Sequence, residues 1–275
     1  MTRTAISPRF AIRIFLGTKT YLLGAVTSLN PSSQPNWPIG WAVRHVSETG
    51  STNDDLFAAA GAGAPHRSVL VADYQTAGKG RLDRTWEAAR GANLLCSLLF
   101  RCAIEDAPRY SRIVSLSARA ACASLSGVAP RLKWPNDLVL DDAKLGGLLA
   151  VASPRDGFVV VGIGVNVGWA PDGAAKLSGD AASSPHEPSV TPLQLLSEML
   201  NEIDERSSLG DAQLHAEHRS ALATLGRRVR VEKRAGDVLV GLAEDVDASS
   251  RLVVRDDDGT LHVIDVGDVI HLRAE

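Results

Sequence analysis

The chain has 275 residues, of which 45% are hydrophobic and 22% charged. That balance excludes collagen-like and disordered chains, and at roughly 100–200 residues per domain the length suits one large domain or two smaller ones. Twenty-nine basic residues against 32 acidic ones give a formal net charge of −3, which lends no support to duplex DNA held through phosphate neutralisation.

Residues 1–40 read as an N-terminal extension that is expected to be flexible. The first 47 residues lack Asp and Glu and carry Arg3, Arg9, Arg13, Lys19 and Arg44. Arg13 and Lys19 interrupt the apolar stretches, and no Ala-x-Ala cleavage site follows, so an export signal is not the expected reading. The Pro/Ser/Asn-rich stretch from Asn30 to Pro38 reads as a linker, and folded structure is expected to begin near Trp41. No apolar run approaches the ~18 residues that a membrane-spanning helix needs.

A short strand is expected over Trp41–Val46, then a helix. Ser51 or Thr52 can cap its free N–H groups, Asp54 and Asp55 suit its positive end, and Gly61 and Gly63 stop it. Strands follow at Ser68–Ala72 and Asn93–Phe100, and Tyr110–Leu125 has helical spacing. Leu132–Leu140 and Lys144–Val151 read as the two arms of a hairpin turning at Asp141–Asp142. Gly157–Val167 is a further strand, and residues 171–190 a surface loop. Helices are expected over Pro192–Ser207, burying Leu195, Leu196, Met199, Leu200 and Ile203, and over Asp211–Leu225. From Gly226 short alternating strands recur, with turns at Arg234–Asp237 and Asp256–Gly259, in the rhythm of a small SH3-like barrel. The expected organisation is therefore a larger domain over residues 41–225 and a small all-β domain over 226–275.

Cys96, Cys102 and Cys122 form no C-x-x-C and have no histidine at ligand spacing, so they read as buried apolar groups of a reducing compartment. The histidines form no triad, and His215 and His218, three apart on one helix beside Glu217, read as surface polarity.

Four segments can carry chemistry. Gly78-Lys79-Gly80-Arg81 combines glycines, which let backbone N–H groups approach a ligand, with cations for carboxylate or phosphate. It fails the P-loop pattern, and a solvated turn is the alternative. Lys133-Trp134-Pro135-Asn136-Asp137 sets a cation and an amide–carboxylate pair at a strand that proline confines to an edge or bend; a plain Pro-Asn-Asp turn is its rival. Lys144-Leu145-Gly146-Gly147 adds a lysine beside exposed backbone. Gly162-Ile163-Gly164-Val165-Asn166 lacks the third glycine of a dinucleotide fingerprint, so a Rossmann reading is rejected.

Together with Ser51-Thr52-Asn53 and the C-terminal strands, these segments in this order resemble the biotin protein ligases. The resemblance spans residues 41–275, and Lys-Trp-Pro-Asn-Asp followed by Lys-x-x-Gly carries it most specifically. It implies an α+β core, a mixed and largely antiparallel sheet backed by helices and shared with class II aminoacyl-tRNA synthetases, plus a C-terminal SH3-like barrel. It also implies a ligase-only enzyme, without the DNA-binding domain of the family's repressors, that acts in the cytoplasm. Biotin and ATP, with Mg²⁺, would give biotinoyl-5′-AMP and pyrophosphate, and biotin would pass to a lysine of the biotin carboxyl carrier domain of an acyl-CoA carboxylase. No DNA and no membrane are expected as partners.

The resemblance assigns biotin to Ser51, Thr52, Asn53 and Gln75, with Gly78, Lys79, Gly80, Arg81, Lys144 and Gly147. It assigns the nucleotide to Arg81, Arg84, Trp86, Lys133, Asn136, Lys144 and Asn166, with Trp86 and Asn166 at adenine. Lys144, Arg81, Asp137 and Lys133 are the expected catalytic groups; the Mg²⁺ ligands stay unassigned. Ser51 as a helix cap and Trp86 and Trp134 as packing residues are the plain alternatives. The 78–84 loop departs from the family's Gly-Arg-Gly-Arg-x-Gly-Arg at Lys79 and at Asp83, where a glycine is usual; a looser hold on the adenylate is the expected consequence. A lipoate or octanoate ligase on the same core, and a non-catalytic biotin-binding regulator, are the rival readings.

Overall fold

Two strands at the centre of the molecule are apolar on both faces, β5 (Leu94–Arg101) and β9 (Phe158–Val165), and they pair antiparallel along their whole length. Unbroken apolar runs of this kind need cover on each side. In the computed structural model, which describes residues 4–6, 12–15, 36–177, 190–232, 237–265 and 267–272, that cover is helical. Helix α1 (Thr52–Gly61) closes one face through Leu56 and Ala60 against Leu70, Leu99, Phe158 and Val160. Helices α2 (Ala107–Ser126) and α3 (Pro192–Ser207) close the other, where the main core lies. Each side obeys local rules. Helix α2 ends at Gly127 with φ 71°, and α3 begins with a Thr191–Gln194 capping box and buries all five expected apolar residues.

The sheet continues from β5 through β4 (Ser68–Ala72) to β3 (Ala42–Val46), and from β9 to β8 (Ala143–Ser153). The β3–β4 pair is parallel and the central pairs are antiparallel, the mixed sheet expected from sequence. Two short strands from the extension, β1 (Thr4–Ile6) and β2 (Ile12–Phe15), extend the edge, β2 running parallel to Ala150–Ala152 of β8. Regular structure therefore starts before Trp41, because β8 presents an open edge there. The Asn30–Pro35 part of the linker, most of the 171–190 loop beyond residue 177, and the 234–236 turn lie outside the described residues.

The Lys-Trp-Pro-Asn-Asp arm is not one strand. It folds into its own hairpin, β6 (Arg131–Lys133) and β7 (Asp137–Leu140), with Lys133 opposite Asp137. Pro135 has no N–H for a ladder, so the chain reverses there, and β7 then pairs with the start of β8. Helix α4 (Asp211–Ala221) is shorter than expected, since Leu222 and Ala223 leave it to meet Leu132.

After α4 come β10 (Arg228–Glu232), β11 (Val238–Val246), β12 (Leu252–Arg255), β13 (Leu261–Ile264) and β14 (Asp268–His271). They form an antiparallel sheet in the order β13-β12-β11-β10-β14. Five antiparallel strands in this order agree with the expected small SH3-like domain; no ladder joins β13 to β14 among the described residues. The β11–β12 turn meets the β6–β7 hairpin and α2. The Trp134 indole donates to the Ser250 carbonyl at 2.9 Å, and Arg112 donates to the Ala248 carbonyl at 3.0 Å.

Candidate functional site

Three close approaches carve the site, each allowed by a glycine. A β-carbon at Gly162 would lie 2.6 Å from Asn53, and one at Gly164 would lie 2.5 Å from the Trp86 ring. One at Gly147, the cross-strand partner of Gly164, would lie 3.2 Å from the Lys144 side chain. The neighbouring strands β8 and β9, which lack β-carbons at these glycines, therefore floor a hollow into which α1, the 78–86 loop and Lys144 reach. Its volume is about 380 Å³, within the range of small-molecule sites.

One end is a ring of neutral polar groups at the start of α1. Gln75 Oε1 accepts from the Thr52 N–H at 2.8 Å and from its hydroxyl at 3.0 Å. Thr52 Oγ1 lies 2.8 Å from Ser97 Oγ, which donates to Asn53 Oδ1 at 2.9 Å. The Asn53 amide donates to the Leu149 carbonyl at 2.9 Å. Ser51 occupies the N-cap position yet makes no capping bond through its side chain; it lines the hollow. Ser97 is the residue that sequence reasoning passed over. Its signal is a lone hydroxyl inside an otherwise apolar strand, where burial demands a partner.

The other end is cationic. Lys144 Nζ lies 2.9 Å from Asp137 Oδ1 and 5.6 Å from the centre of the Trp86 ring. Lys133 and Asn136 line the same wall, and among the described residues Lys133 has no ion-pair partner. Arg81 donates to Asn136 Oδ1 at 3.2 Å and to the Gly267 carbonyl at 3.4 Å. Lys79 ion-pairs with Asp54 on α1. Asp268, with Glu232, Val269 and Ile270, brings the C-terminal sheet into the wall, a contribution that sequence reasoning did not find.

Between the arginines, Leu82 and Asp83 have φ of 54° and 59°, the left-handed region that glycine tolerates best. The departure at Asp83 is thus a side chain placed where the backbone favours none.

Gly78 stands outside the wall. A β-carbon there would strike the Trp86 carbonyl at 2.6 Å, so it closes the loop and does not touch the hollow. Asn166, expected at adenine, does not line the hollow either. It is 2% exposed, and its amide donates to the carbonyls of Ala175 at 3.0 Å and Lys144 at 3.4 Å. It ties the end of β9 to the start of β8. Trp134 is 2% exposed and packs. His218 is buried, not a surface group. Enclosure, with Arg112 and His215 nearby, holds it well below its ordinary range, at about 3. The free thiols Cys96 and Cys122 are buried, and burial pushes Cys122 up to about 12. No group of three or more acidic, histidine or cysteine side chains converges as a metal site among the described residues.

Comparison with known proteins gives the following. The sequence pattern of the Biotin/lipoate A/B protein ligase family matches residues 49–167, and that of the Biotin protein ligase C terminal domain matches residues 224–272. A Mycobacterium tuberculosis biotin--[acetyl-CoA-carboxylase] ligase is 39% identical over 244 residues, covering 83% of this chain and 88% of that one. The Bacillus subtilis bifunctional ligase/repressor BirA is 30% identical over 144 residues, covering 50% of this chain and 43% of its own. Among solved structures, the biotin protein ligase of Aquifex aeolicus in complex with biotin and ATP superposes with a TM-score of 0.69 at 23% identity, covering 85% of this chain and 99% of that one. No helix among the described residues is long and apolar enough to cross a membrane.

Proposed function

The chain belongs to the biotin protein ligase family, and from that premise we propose how its cleft activates biotin with ATP and passes it to a carboxylase. In the first step a biotin carboxylate oxygen attacks the α-phosphorus of ATP. The bond to the β-phosphate breaks, pyrophosphate leaves, and biotinoyl-5′-AMP remains. In the second step the amine of a carrier-domain lysine attacks the acyl carbon, AMP leaves, and an amide forms.

The observation that carries the reading is one hollow with a neutral polar end and a cationic end, joined by Lys144. The ring of Ser51, Thr52, Asn53, Gln75 and Ser97 suits the ureido head of biotin, which offers a carbonyl and two N–H groups. The cationic end suits phosphates, and the Trp86 ring offers a face for adenine. Between them Lys144 would lie against both the carboxylate and the α-phosphate, two anions that repel. Attack gathers negative charge there, so a fixed ammonium stabilises the transition state more than the separated reactants. Lys133 and Arg81 would take further phosphate charge. Asp137, 2.9 Å from Lys144, would hold that ammonium before ATP arrives, and with Asn136 it would orient the incoming amine and accept its proton. ATP enters as its Mg²⁺ complex, the ion held mainly by phosphates and water. The carrier is proposed to be the biotin carboxyl carrier domain of an acyl-CoA carboxylase, and the compartment the cytoplasm, where ATP is supplied and buried thiols stay reduced.

The test is incubation with Mg²⁺, ATP and labelled biotin, with and without a biotin carrier domain. Biotin-dependent pyrophosphate release, with label on one carrier lysine, is the expected result. Lipoate outcompeting biotin for transfer would replace the substrate, and biotin binding without pyrophosphate release would make the protein a regulator.

A further inference from the structure

Asp268, at the start of β14, faces both arginines of the 78–86 loop. Its carboxylate ion-pairs with Arg84 and lies 3.7 Å from Arg81, while the carbonyl of the preceding Gly267 accepts from Arg81 at 3.4 Å. The two cations proposed for phosphate are thus already gathered on an anion, and that anion belongs to the other sheet. We propose that Asp268 is a positioning residue that stands in for phosphate in the ligand-free protein. It latches the loop to the C-terminal sheet and gives the arginines up when ATP arrives. The proposal rests on the reading of the cleft as an ATP site.

Three observations carry it. The loop closes on itself through the Gly80–Arg84 and Trp86–Gly78 backbone hydrogen bonds, and its tip is strained and open. Leu82 and Asp83 sit in the left-handed region, and the stretch Leu82–Thr85 is exposed. The Arg81 side chain is only 11% exposed, against 68% for Arg84; Asp268 thus pairs directly with the outer arginine and sits 3.7 Å from the inner one, which Asn136 and the Gly267 carbonyl also hold. Finally, a carboxylate and a phosphate cannot share the same guanidinium donors without repelling each other. ATP must therefore displace Asp268, and part of the arginines' attraction for phosphate is spent on breaking the latch.

The experiment measures ATP affinity and tryptic cleavage within the loop, at Lys79, Arg81 and Arg84, for the intact wild-type protein, Asp268→Asn and Asp268→Glu. Asp268→Asn is expected to bind ATP about twofold to tenfold more tightly, the range for one or two partly exposed ion pairs, and to be cleaved faster without ATP. Asp268→Glu, which keeps the charge, is expected to restore both. Salt supplies a readout that a merely structural role would leave alone. In the wild type, salt weakens the latch and the ATP contacts together, so ATP affinity falls less steeply with salt than in Asp268→Asn. Should Asp268→Asn not fold, the wild type alone decides: without ATP, cleavage at Arg84 rises with salt more steeply than cleavage at Lys79, whose own ion pair with Asp54 salt also weakens, if the latch exists, and no more steeply if it does not. Unchanged or weakened ATP binding by a folded Asp268→Asn, with unchanged cleavage, overturns the latch while leaving the ATP site intact. Wild-type protein that binds no ATP overturns the functional reading itself, and the latch with it.

Discussion

A β-carbon at Gly164 would stand 2.5 Å from the Trp86 indole, a separation that forces the ring to move. Gly164→Ala is therefore expected to raise the KM for ATP at least about tenfold while costing about 1–3 kcal/mol of stability; an unchanged KM would remove Trp86 from the nucleotide site. Asp83 offers the reverse case. Left-handed backbone costs a non-glycine residue about 1–2 kcal/mol, so Asp83→Gly should stabilise the protein by about 1 kcal/mol. It should also slow release of labelled adenylate when no carrier is present, because a negative charge leaves the arginine loop. Faster release would sink that account. At this scale the sequence brought together residues that do line the hollow, Lys144, Asp137, Gln75 and the loop arginines, because each stands in a motif of the family that the chain resembles. The burial of Asn166 was not legible, for a residue type shared by backbone ties and base contacts does not say how deep it lies. Ser97 was missed because one hydroxyl in an apolar strand names no ligand.

Among the elements, helices and central strands followed their periodicity closely, and the departures have physical causes. The Lys-Trp-Pro-Asn-Asp segment looks like one strand until the lack of an N–H at Pro135 makes it a hairpin, which is what sets Lys133 opposite Asp137. His218 looks polar and outward until α4 packs on α2, leaving it 3% exposed beside Arg112. Its pKa drops from 6.5 to about 3, burial being the main cause. The neutral imidazole thus contributes stability that is fully present above 6.5 and is lost as pH falls toward 3. Unfolding free energy should decline over that window with a slope of up to about 1.4 kcal/mol per pH unit for this one proton. His218→Gln should flatten the slope by that amount in denaturant titrations; an equal slope in the two proteins would show that the imidazole is not held neutral.

At the scale of the whole molecule, the cleft is a joint. Catalytic-sheet residues line most of it, yet Asp268 and Glu232 arrive from the C-terminal sheet, which the Trp134–Ser250 and Arg112–Ala248 hydrogen bonds hold in place. The sequence announced a second small all-β unit but not that it shares the site, because alternating strands reveal an inward face and not what that face meets. In the proposed reaction one ammonium, that of Lys144, stands at the centre of this joint. The most direct test is biotin-dependent pyrophosphate formation in a single turnover, comparing the wild type with Lys144→Ala at saturating ATP. The account predicts a rate about 10²–10³-fold lower in the variant, with biotin still bound, though more weakly. Equal rates in the two proteins would contradict it.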